Sequence, residues 1–174
     1  MGSATGSTWV DFDICAFHAE FDRVRQGRGV TWAEVARQIS APFAHRRDIP
    51  PVSPSTLSGM ASRSGLNGNI VMSALRWMGE QPESFVAGTS KVGGTPIPDL
   101  GPRHLLRWDT KALYAAVDGQ RQARGLSWAQ VAREVGLPVG VVKGIVRSVG
   151  FPFVMRFTRW VDRPAASFMT DVPV

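Results

Sequence analysis

Apolar residues Phe12, Phe17, Phe21 and Val24 are spaced for one face of a helix, which the pattern predicts over 11–26. Gly29 stops it. Thr31-Trp32-Ala33-Glu34 then has the form of a capping box, Thr31 closing free amides and Glu34 reaching back, so a second helix starts there. Val35, Ala36 and Ile39 share its inner face, and the small Ala36 permits close approach by a neighbour. Ser53 as cap and Pro54 at the first helical position open a third helix, continued by Thr56, Leu57, Met60 and Ala61. The apolar segment 70–78 predicts a fourth, with Phe85 closing the core.

The same pattern is then written a second time. Segment 29–39, Gly-Val-Thr-Trp-Ala-Glu-Val-Ala-Arg-Gln-Ile, returns 96 residues later as Gly-Leu-Ser-Trp-Ala-Gln-Val-Ala-Arg-Glu-Val, and 13 of the 28 positions pairing 12–39 with 108–135 are identical. A second echo has an offset of 83: Arg76-Trp77 meets Arg159-Trp160, and Ser84-Phe85 meets Ser167-Phe168. The chain is two copies of one module, the first carrying 13 extra residues between the echoes. In the second copy Gly136 suits a left-handed helix end, Pro138 opens a third helix running to Arg147, and 151–161 supplies a fourth. The expectation is an all-α protein of two tandem four-to-five-helix domains. The first spans 10–87 with an inserted loop at 40–52, and the second spans 104–174. Between them, 88–103 is a linker rich in Gly, Pro, Ser and Thr, and 1–9 reads as a disordered start.

Composition narrows the class. A single cysteine, Cys15, excludes an internal disulfide framework, and nothing has metal-ligand spacing. No stretch approaches the roughly 18 apolar residues of a membrane span, so a cytoplasmic, nucleoid-associated protein without a membrane partner is expected. The net charge of +6 is unevenly placed: residues 1–90 balance eight arginines against eight acids, whereas 91–174 hold twelve basic side chains against six acids. Arginine outnumbers lysine 17 to 3, which suits bidentate phosphate or base contacts and equally suits a GC-rich genome.

Gly-[Val/Leu]-[Thr/Ser]-Trp-Ala-x-Val-Ala-Arg, followed by Val52-Ser53-Pro54-Ser55-Thr56-Leu57-Ser58, resembles the Cro and phage-repressor type of helix-turn-helix domain, often called XRE-like. Leu75-Arg76-Trp77-Met78-Gly79 with Phe85 is similar to that family's closing helix. The resemblance implies sequence-specific binding of double-stranded DNA and transcriptional control, with the third helix of each unit in the major groove, and a repressor that occludes a promoter is the expectation. Ser53, Ser55, Thr56 and Ser58 would then present hydroxyls to base edges or phosphates, and Arg63 would contact the backbone. The bland reading of the same serines is capping and solvation.

The second copy departs from that pattern. In its third helix only Lys143 and Arg147 are polar, so three readings stand: Val139 or Val141 meeting a thymine methyl group, Lys143 and Arg147 clamping phosphates, or a protein interface. Arg46 and Arg47 in the insertion could enter a minor groove or grip phosphates; the alternative is a solvated loop with a salt bridge to Asp48. Trp32 and Trp128, at the first turn of the second helix, offer an indole N–H to a phosphate or pack. Arg25, Arg28, Arg121 and Arg124 read as structural. His18, His45 and His104 lie in dissimilar contexts without a nucleophile or phosphate-loop motif, so neither an enzyme nor a cofactor is expected. The alternative function is an interaction adaptor with a degenerate helix-turn-helix fold, forming a homodimer or taking a protein partner through domain 2.

Overall fold

The computed structural model describes residues 11–62, 67–86, 97, 103–147 and 149–173. The chain is mostly helical. In the first copy α1 spans Ile14–Gly27, α2 Trp32–Ser40, α3 Pro54–Ser58 and α4 Gly68–Met78, followed by a 3-10 turn at Pro82–Phe85. The second copy repeats the order with α5 (Thr110–Ala123), α6 (Trp128–Val135), α7 (Val139–Lys143), α8 (Phe151–Trp160) and a turn at Ala165–Phe168. Both start signals are aspartates: Asp13 accepts the Ala16 amide at 2.9 Å and Asp109 accepts that of Ala112 at 2.8 Å. The amides of the same two residues donate to Phe85 O and Phe168 O, each at 2.7 Å, so both echoes are tied by one repeated bond.

A two-stranded sheet amends the all-α expectation. β1 (His104–Trp108) pairs antiparallel with β2 (Met169–Pro173), Trp108 opposite Met169. The first copy holds the equivalent contact as a single bridge between Phe12 and Val86. Sequence pattern missed β1 because Leu105 and Leu106 are both buried, which breaks the alternation that marks a half-buried strand. Nearly all of the 88–103 linker lies outside the described residues, as does the 1–9 start. No helix among the described residues is long and apolar enough to cross a membrane.

The 13 extra residues fall in two places. The N-caps of α3 and α7, Ser53 and Pro138, are 85 positions apart, so eleven of the extra residues lie between the second and third helices and two between the third and fourth. The third helices are also shorter than expected, α7 ending at Lys143 and not at Arg147. Only one capping box closes fully. Ser127 and Gln130 exchange both bonds, whereas Glu34 turns away from Thr31 to Arg37 and Gln38.

The copies join through reciprocal contacts. Phe12 meets Phe151 edge to face at 4.6 Å between ring centroids. Trp108, the counterpart of Phe12, meets Gly68, the counterpart of Phe151: a Cβ on Gly68 would stand 2.9 Å from Trp108 Nε1, so glycine is required by close approach. Such mutual pairing is the pattern of a twofold interface, here between two halves of one chain. Arg156 of α8 adds a bidentate pair to Asp11, at 2.6 and 2.8 Å, and donates to Gly136 O at 2.8 Å. The guanidinium holds the Asp11 carboxyl below its ordinary value. α8 is shared: Phe151 and Met155 pack into the first core, Val154, Phe157 and Trp160 into the second.

One position in the copies is solved differently. After α4 the chain turns at Gly79 with φ 78°, whereas after α8 the equivalent residue is Asp162 with φ 56°. A Cβ is strained there and a carboxylate opposes the negative helix end. Asp162→Gly is expected to stabilise the protein by about 0.5 kcal/mol or more, less the entropy that glycine adds to the unfolded chain. A thermal melt showing no gain would mean that the aspartate's strain is compensated locally.

Candidate nucleic-acid interface

α3 is held by one buried side chain, Leu57, and its carbonyl accepts from His18 Nε2 at 3.1 Å. Everything else on the helix faces outward or partly so. Ser53 caps it, accepting the Thr56 amide at 3.1 Å, and its hydroxyl also bonds those of Thr56 at 2.7 Å and Ser55 at 3.1 Å. Ser53 and half-buried Thr56 are therefore engaged within the chain, while Ser55 and Ser58 are exposed with hydroxyl capacity to spare. Arg63 lies outside the described residues.

α7 is built on the same plan with different chemistry. Val142 is its one buried side chain, and Ile145 follows it into the core as Met60 does after α3. Among the described residues Val139 (37% exposed) and Val146 (39%) are the large apolar side chains most open to solvent, Val141 is half-buried, and Lys143 and Arg147 are exposed. Apolar and basic groups thus share one surface.

The insertion separates its two arginines. Arg46 is bound bidentately to Asp48 at 2.7 and 2.6 Å, which drives the Asp48 carboxyl down to about 2. Arg46 is therefore not a free cation: of the two expectations for it, the salt bridge to Asp48 is the one that forms, because an acid two residues on completes it. Arg47 is exposed and forms no ion pair among the described residues. Phe43 anchors the loop in the core, and Ser40 Oγ accepts the Val52 amide at 2.9 Å to close its base.

Trp32 and Trp128 are half-buried in matching nests. Trp32 stacks with His18 and lies under Arg25, and Trp128 stacks with Tyr114 and lies under Arg121. Each arginine is fixed from below by an aspartate, Asp22 or Asp118, and from the side by a backbone carbonyl, Val30 O or Leu126 O. This fixes the start of the second helix.

Charge separates the copies at the surface. In the first copy exposed Arg23 and Arg37 and half-buried Arg46 are ion-paired, which leaves Arg28 and Arg47 as its exposed arginines without an ion pair among the described residues. Arg103, Arg107, Lys111, Arg133, Lys143 and Arg147 of the second are exposed and form no ion pair among the described residues. Sequence reading had the excess charge but not Arg103, Arg107, Lys111 and Arg133 as its carriers; for Arg107, Lys111 and Arg133 the lack of an acid three or four residues away was the available signal. No family model, curated protein or solved structure matches this chain.

Proposed function

We propose that the protein is a sequence-specific regulator binding double-stranded DNA, a repressor built from two tandem XRE-like helix-turn-helix units that occlude a promoter. The observation that carries this reading is the paired design of α3 and α7: each is pinned by one buried residue and gives its remaining face to solvent. One face offers hydroxyls for base edges, and the other offers cations in a copy rich in unpaired positive charge. Unlike faces joined by a fixed junction suit an asymmetric or bipartite site. Selection from a random duplex pool is expected to return one longer than a single module reads, and log affinity should fall against log salt with a slope of about −4 or steeper. Absence of any duplex retention at low salt would defeat the reading.

The exposure of Val139 and Val146 favours a second reading, an adaptor that docks a protein through α7. Its affinity for that partner would barely respond to salt.

A further inference from the structure

The reciprocal junction has one place where its two sides do not match. Asp11 and Arg156 form the bidentate pair on one side. Their repeat counterparts are Arg107 and Ser73, so the other side has the positive group on the strand and a serine where its partner would stand. Arg107 and Ser73 there border an open cavity of about 340 Å³. One wall is the insertion peculiar to the first copy, where Ile49 to Val52 face β1 and α4. Ile49, Ile70 and Leu105 make its lining apolar, and Asn69, Ser73 and Arg107 supply polar groups. Asp48 also borders it, but Arg46 already holds that carboxylate. Ser73 donates its proton to Asn69 O at 2.8 Å and keeps its lone pairs free.

We propose that this cavity binds a small organic carboxylate with a flat apolar body, the carboxylate on Arg107 and the body against Ile49, Ile70 and Leu105, and that the bound ligand braces α3. Planar guanidinium and carboxylate match as a two-bond fork, and the volume lies at the small end of the range for ligand sites. The link to α3 is covalent and short: the wall residue Val52 precedes Ser53, the N-cap, and is tied to the end of α2 by Ser40. That coupling would make the ligand an effector under the DNA reading, but the site itself does not depend on it.

The test uses the full chain, labelled with nitrogen-15 and titrated separately with 2-naphthoate, naphthalene-2-carboxamide and 2-naphthylmethylamine. Naphthoate is expected to move the amides of Ile49, Val52, Ile70 and Leu105 saturably and to slow hydrogen exchange at Thr56 and Leu57. The carboxamide should bind at least about tenfold more weakly, as should naphthoate to Arg107→Gln. Ser73→Leu, which fills the space on a helix without touching charge, should abolish the shifts. The proposal is overturned by no saturable shift at these amides, by equal response to all three compounds, by indifference to Ser73→Leu, or by unchanged exchange at α3. None of these readouts uses DNA, so they stand or fall apart from the DNA reading.

Discussion

Phe151→Ala is expected to cost about 3–5 kcal/mol and to part the unfolding of the two copies. The ring is fully buried, meets Phe12 at 4.6 Å and Trp108 at 5.9 Å, and belongs to the first core although it opens a helix of the second copy. Truncation removes buried area and leaves a cavity that neither copy can fill, because Gly68 and Trp108 already touch on the reciprocal side. Wild-type protein should lose the amide signals of α2 and α6 at one denaturant concentration. In the variant the two sets should separate. Val146→Ala, on an exposed residue, should cost less than about 0.5 kcal/mol and serves as the control. A loss below about 1 kcal/mol with coincident transitions would show that Phe151 does not join the copies.

What the sequence made legible was the part that repeats. Several residues that both copies keep do the same work: Asp13 and Asp109 cap, Arg25 and Arg121 cover a tryptophan, and the indoles of Trp77 and Trp160 donate to Gln38 at 2.7 Å and Glu134 at 2.9 Å. Local signals suffice for the caps and the arginine–tryptophan pairs, whose partners lie on the same or the next helix, whereas each indole bond runs from the fourth helix of its copy back to the second and is marked only by its recurrence. Glu34 misled because Arg37 and Gln38, one turn on, draw its carboxylate, whereas the neutral Gln130 attracts Arg133, the counterpart of Arg37, less strongly and has an acid in place of Gln38.

The junction was not legible. Gly68 reads as a loop or helix-start residue, and only the arrival of Trp108 from the other copy explains it. The same holds for Arg156, whose partner Asp11 is 145 residues distant. Register could show that Asp11 stands where the second copy has Arg107; it could not show that this difference faces a cavity. Of the candidate DNA contacts, Ser55, Ser58, Arg47, Lys143 and Arg147 are exposed, Ser53 and Thr56 bond each other, and Arg46 is ion-paired.

Lys143→Ala with Arg147→Ala and Ser55→Ala with Ser58→Ala are expected to weaken DNA binding in different ways. Both basic side chains are exposed and unpaired among the described residues, so each offers a full charge to a phosphate. Their removal should lower affinity for selected and unrelated duplexes alike, by about tenfold to a hundredfold, and flatten the salt slope by about 2. The serines carry no charge and keep hydroxyl capacity toward solvent, Ser58 wholly and Ser55 beside its single bond to Ser53, whereas Ser53 and Thr56 bond each other. Losing them should leave unrelated duplexes bound as before and cut the preference for the selected sequence about tenfold or more. Neither pair of changes touches a buried side chain, so melting temperatures should stay close to that of the parent and loss of folding cannot mimic either result. Identical losses of affinity and preference in both variants would mean that α3 and α7 do not divide reading from clamping.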